Sequence, residues 1–218
     1  MKKKVLLIVS LFAILTISVC VSISFLSDKD ATKNTFTIGE VSILLDETAV
    51  DKNGKPIKEA ERVVENKYHL LPGKSYVKDP TVTVVAGSDE SFVRILVTLT
   101  KYKELKELFG ENFEPGDFVT GYNPEKWIYV DKTIGNNNDV TYEFRYYTIV
   151  DGYNDKKEEK LVLEPLFQTI EIPGEVDATD LEIISDLEIN IVAHAIQASS
   201  FDGYADLAWA AFAKQYNE

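Results

Sequence analysis

"SFVRILVTLTKY", residues 91 to 102, sets Phe92, Arg94 and Leu96 against Val93, Ile95, Val97 and Leu99. Successive side chains of a strand point to opposite faces. Apart from Arg94, then, this run is apolar on both sides, and such a strand belongs in the middle of a sheet or sandwich, covered above and below. The rest of the chain supplies its neighbours. Phe36, Ile38, Val41, Ile43 and Leu45 alternate closely enough for a strand, with Gly39 as a bend or bulge. "DPTVTVVAG" (79–87) is a strand with Val82 and Val84 on one face. "EKWIYVD" (125–131) and "DVTYEFRYYTIV" (139–150) read as a hairpin turning at Asn136 to Asp139. The apolar runs of "KLVLEPLFQTIEIP" (160–173) are interrupted by Pro165, which ends a strand or confines it to an edge. "LEIISDLEINIVAHAIQA" (181–198) is the longest β-like stretch, with Leu187, Ile189, Ile191, Ala193 and Ala195 on one face.

Turn signals separate these runs: Asn53-Gly54 within the polar loop 51–61, and "LLPGK" at 70–74. Leu105, Leu108 and Phe109 share a helical face, so a short helix is expected over 103–109. At the other end, Tyr204, Leu207, Ala208, Ala211 and Phe212 recur at helical spacing within 201–218, with Ser200 or Asp202 as the expected cap. Many short strands divided by turns predict a mainly β protein, an antiparallel jelly-roll-like sandwich with a short helix in the middle and an amphipathic helix at the C-terminus.

Composition narrows the class. The chain has 218 residues, 36 acidic and 23 basic, for a formal net charge of −13. Residues 1–24 open with Lys2, Lys3 and Lys4, hold no acid, and run on through an apolar core to Ser22 and Ser24. That is the build of a secretory signal, cleaved between Ser24 and Phe25. The uncharged run Val5 to Ser27 is also long enough to span a bilayer, so a retained anchor is the alternative. Cleavage removes three lysines and takes the net charge to −16. A surface that acidic repels nucleic acid and anionic lipid. The only cysteine, Cys20, lies inside the signal, so the mature domain relies on its core and has no disulfide framework. Val19 in front of Cys20 argues against a lipoprotein signal.

Signals for chemistry are few. The two histidines, His69 and His194, form no HExxH, and their spacing with any carboxylate gives no zinc pattern. There is no GxSxG elbow and no glycine-rich phosphate loop. No catalytic residue is assigned. "DGYND" and "EVDATD" place Asp151, Asn154 and Asp155, and Glu175, Asp177 and Asp180, as candidate calcium ligands, with solvated turns as the alternative. No other cofactor is expected. Tyr142, Phe144 and Tyr146 share one strand face, which is either core or a surface for sugar or a partner.

"SFLSDKDATKNTFTIGEVSILLDE" (24–47) resembles the start of the TasA/camelysin (CalY) family of Gram-positive secreted proteins, with its pattern NTFTxGxVxIxLxE carried by Asn34, Thr35, Phe36, Thr37, Gly39, Val41, Ile43 and Glu47. "LLPGKSYVKDPTVTV" (70–84) is similar to the family's PGxxxxKDPxVxN through Pro72, Gly73, Lys78, Asp79, Pro80 and Val82, although Val84-Val85 stands where an Asn is usual. "AHAIQASSFDGYADLAWAAF" (193–212) looks like its AxAIQAxGF ending, with Ser199-Ser200 in place of a glycine-containing turn. Residues 103–180 match nothing in the pattern and read as inserted loops of a single domain, 38–218.

The resemblance implies a jelly-roll subunit exported with the help of the signal peptidase SipW, displayed at the cell surface and able to build biofilm matrix fibres. Residues 25–37 then become a mobile mature N-terminus leading into the first strand. Its residues Phe25, Leu26, Asp28, Asp30, Thr32, Asn34 and Phe36 are the candidate assembly strand, added to a sheet edge of a second copy or of a related matrix protein. Relatives have been classed as metallopeptidases, so a camelysin-like surface metalloendopeptidase is one alternative. A membrane-anchored adhesion module is the other.

Overall fold

The doubly apolar run is the middle strand of the largest sheet. The computed structural model describes residues 27–30, 41–152 and 160–216. In chain order the strands are β1 (Ser27–Asp30), β2 (Ile43–Asp46), β3 (Ser75–Val77), β4 (Thr81–Val84) and β5 (Ser91–Leu99). Helix α1 (Tyr102–Phe109) follows, then β6 (Val119–Thr120), β7 (Trp127–Ile134), β8 (Val140–Tyr146), β9 (Leu161–Val162) and β10 (Thr169–Glu171). The chain continues through α2 (Ala178–Ile183), β11 (Ile189–Gln197) and α3 (Ala205–Tyr216). The five-stranded sheet has the order β1-β11-β5-β8-β7, and two three-stranded sheets have the orders β3-β10-β6 and β2-β4-β9. Every pairing between these strands is antiparallel. The protein is thus mainly β, as the alternation predicts.

One apolar cluster joins all three sheets. Val93, Ile95, Val97 and Leu99 of β5, Tyr142 and Phe144 of β8, and Ala193 and Ala195 of β11 meet Ile43, Val82 and Val84 on one small sheet and Tyr76 and Ile170 on the other. The opposite face of β5 carries Phe92 and Arg94, and α3 covers it with Ala208, Trp209 and Phe212. This is why β5 is apolar on both sides. Trp127, at the start of the far edge strand β7, is fully buried, and its Nε1 donates to the Glu164 carbonyl at 2.8 Å. The remainder of β7 is mostly exposed; a bulge between Tyr129 and Asp131 breaks its register and, with Asp131 and Lys132, disfavours pairing to another chain.

Two expectations need correction. Residues 181–188 are not strand: α2 and a turn occupy them, and β11 begins only at Ile189. The cause is local, because Asp177 and Asp180 form a reciprocal capping box that starts a helix. At the C-terminus, α3 begins at Ala205, so neither Ser200 nor Asp202 caps it. A 3₁₀ turn over Ser199–Phe201, then Asp202 (φ 49°) and Gly203 (φ 81°), reverse the chain first. Of the strip 25–37, residues 27–30 form β1; Leu26, Thr32, Asn34, Phe36 and the cleavage pair Ser24 and Phe25 lie outside the described residues.

The Asn53-Gly54 turn is held from behind. Gly54 sits at φ +73°, and a Cβ there would lie 2.5 Å from Cδ1 of Tyr76. Tyr76 cannot yield, since its Oη accepts from the Leu71 N–H at 2.7 Å and donates to the His69 carbonyl at 3.0 Å. Gly54→Ala adds left-handed strain to a steric clash, for an expected loss of about 2–4 kcal/mol. The urea midpoint checks this; a loss under ~1 kcal/mol means that the turn relaxes.

Candidate functional site

The site begins at the edge of the five-stranded sheet where the two ends of the described chain meet. β11 pairs with β5 along its whole length, from Ile189 opposite Leu99 to Gln197 opposite Ser91. On its other side β1 lies in register, Ser27 opposite Ile196, Asp28 opposite Ala195, Lys29 opposite His194 and Asp30 opposite Ala193. Of the seven assembly residues expected from sequence, Asp28 and Asp30 are therefore on a sheet edge of their own chain. The segment Ser-Asp-Lys-Asp contains no apolar residue.

Behind this edge lies a buried cation. Arg94 of β5 donates from Nε to Nδ1 of His194 at 3.1 Å and approaches Glu143 of β8 at 3.7 Å. Its guanidinium lies 4.7 Å from the Trp209 ring and 4.9 Å from the Phe212 ring of α3. Arginine only donates, so His194 accepts at Nδ1 and carries its ring proton on Nε2. Glu143 also accepts from Arg145 at 2.6 Å, and Arg145 reaches Asp206 of α3, likewise at 2.6 Å. Two aromatic faces and this ion chain hold α3 on the outside of the β11–β5 pair.

A second polar cluster fastens the corner between β3 and β4. Lys78 donates to Glu47 at 2.7 Å, with side chains 9% and 5% exposed. The other Glu47 oxygen accepts from Asn66 at 3.0 Å. Asp79 accepts from the backbone and hydroxyl of Thr48 at 2.6 and 2.7 Å. Arg62 forks from Asp46 to Asp79 and also donates to the Thr81 hydroxyl. Glu47, Lys78 and Asp79 are thus residues that lock this corner.

The remaining candidates fall elsewhere. His194 is buried in β11 and His69 is exposed in the loop before β3. Among the described residues no group of three or more His, Cys, Asp or Glu is placed to hold a metal. Asp177 accepts from the N–H groups of Thr179 and Asp180, and Asp180 accepts from that of Asp177, so the two carboxylates cap α2. Asp151 is exposed, while Asn154 and Asp155 lie outside the described residues. Tyr142 and Phe144 are core residues, and Tyr146 packs edge-on to Trp127 at 5.0 Å.

Sequence reasoning missed Arg94 and Lys78 as buried ions. The one hint was a charge on an otherwise doubly apolar strand. No family model, no curated protein and no solved structure matches the chain.

Proposed function

We propose that this chain is a secreted cell-surface structural protein, a subunit or accessory of biofilm matrix fibres, with a jelly-roll-like fold. It assembles by donating its N-terminal strip to the β11 edge of a neighbouring copy or of a related matrix protein. The observation that carries this reading is the β1–β11 ladder, in which the strip occupies a sheet edge at four positions. An edge strand has one partner only, and the same hydrogen bonds form whether the strip comes from its own chain or from another. Exchange between copies conserves the ladder and leaves each molecule with one strip to give and one edge to fill. Such a heterologous contact propagates as a filament instead of closing. The sharing of one core by the three sheets supports the jelly-roll-like assignment.

Deletion of residues 25–35 tests the mechanism. The full secreted protein should form filaments in negative-stain electron microscopy. The deletion variant should keep its β circular-dichroism spectrum and form none. Filaments that persist unchanged, or a full-length protein that stays monomeric at high concentration, refute the proposal.

A further inference from the structure

At the corner between β3 and β4, three side chains bring together an amine, a carboxylate and an amide. Lys78 Nζ donates to Oε2 of Glu47 at 2.7 Å, and Asn66 Nδ2 donates to Oε1 of the same carboxylate at 3.0 Å. One carboxylate therefore touches both nitrogens, and Nζ is held beside the Asn66 amide. That amide is fixed from both ends: Oδ1 accepts from the Val50 N–H at 3.0 Å, and Nδ2 also donates to the Thr48 carbonyl at 2.8 Å. Lys78 and Glu47 are buried, and the Tyr68 ring lies 5.7 Å from Nζ. Glu47 is itself anchored, its backbone exchanging hydrogen bonds with Val63 at 2.7 and 2.8 Å. An ion pair needs only Lys78 and Glu47; the positioned amide is a third part, and it is an acyl group.

We infer that this corner is a site of self-modification, where Lys78 and Asn66 join through an isopeptide bond with release of ammonia and Glu47 carries the protons. Each partner suits one step. Glu47 first takes a proton from Nζ, giving an uncharged amine and an uncharged acid; exchanging an ion pair for two neutral groups costs less in a buried site than in water. The flexible lysine stem carries Nζ to Cγ of Asn66. The Nζ electron pair forms the new C–N bond as the C=O π pair moves onto Oδ1, where the Val50 N–H meets the developing negative charge. Glu47 gives its proton to Nδ2 and takes one from Nζ. The pair on Oδ1 then restores the carbonyl, the bond from Cγ to Nδ2 breaks, and Nδ2 leaves as ammonia. Nothing is oxidised or reduced, no outside reactant is needed, and Glu47 ends protonated. Holding amine and amide on one carboxylate supplies an effective concentration that free side chains lack. The bond closes the loop 66–78 around the turn at 70–74, a covalent staple in a chain whose only cysteine is Cys20. This inference does not depend on the assembly proposal.

Intact-mass spectrometry of the full chain, folded at neutral pH and sampled over days, tests the bond. The mass should fall by that of one ammonia. Tryptic digestion should then yield a branched peptide joining residues 63–67 to 75–94, since a modified Lys78 resists cleavage. Chain kept in concentrated urea should keep its full mass, because unfolding separates the three groups. Lys78→Met and Asn66→Ser each remove one reacting partner and should also keep full mass. Glu47→Gln retains both partners and should stop the reaction. Where a variant is too weakened to fold, the unmodified protein decides alone. A mass that stays unchanged in the folded protein, or the absence of the branched peptide, overturns the proposal. So does loss of water in place of ammonia, which would make Glu47 the acyl donor, or an ammonia loss that survives Lys78→Met, which would mark succinimide formation at an asparagine. The same mass measurement identifies the unbonded chain, to which the energies of the Lys78–Glu47 ion pair refer.

Discussion

Replacing Lys78 by Met lowers the unfolding free energy by about 3–5 kcal/mol, because it leaves the Glu47 carboxylate buried with its counter-charge gone. The two groups meet at 2.7 Å with almost no solvent access, and the second Glu47 oxygen is already committed to Asn66. Nothing else at the corner can replace the ammonium: Arg62 is engaged with Asp46, Asp79 and Thr81. The double variant Glu47→Gln with Lys78→Met removes both charges and should recover a substantial part of the loss, since an amide tolerates burial that a carboxylate does not. Urea denaturation of the unmodified protein, Glu47→Gln, Lys78→Met and the double variant measures the cycle. A single-variant loss under ~1 kcal/mol, or a double variant no better than the single, would show that the pair is solvated and incidental.

Trp209→Ala carries a comparable penalty, about 3–5 kcal/mol, by opening a large cavity between α3 and the sheet. Trp209 is 3% exposed and lies in the cluster formed with Phe92, Ile196, Ala208 and Phe212. Its ring also lies against the Arg94 guanidinium, so truncation admits water to a buried cation. Trp209→Phe should cost far less. The indole Nε1 is buried without a hydrogen-bond partner, so its removal relieves an unmet group while an aromatic face remains over Arg94. Hydrogen exchange adds a local readout: the amides of α3 and of β11 should lose protection together in Trp209→Ala. Protection lost in α3 alone would mean that the helix is an independent cover and does not support the β11 edge.

These two substitutions mark where sequence reading stops. Val82 or Ile95 is legible as core from alternation alone, since period two says which face a residue takes. Lys78 and Arg94 look like surface charges by residue type, and their partners lie far along the chain: Glu47 for one, His194 and α3 for the other. The stretch 181–188 shows the limit from the other side. Its Leu and Ile residues fit either period over so short a run, and the capping carboxylates of Asp177 and Asp180, read as candidate calcium ligands, were the signal for a helix.

By itself the sequence determined the central position of β5, a short helix over 103–109 (observed from Tyr102), the β7–β8 hairpin and the break at Pro165, because each follows from side-chain periodicity or from the restricted backbone of turn residues within a dozen positions. Only the tertiary structure decided that Ser27–Asp30 lies on β11, that Lys78 reaches Glu47, and that α3 closes over Arg94. A strand's pattern states which face is apolar and says nothing of which other strand completes its ladder. Pairing between distant segments is fixed by which combination buries the apolar faces and satisfies the polar groups at once, and that condition belongs to the whole chain.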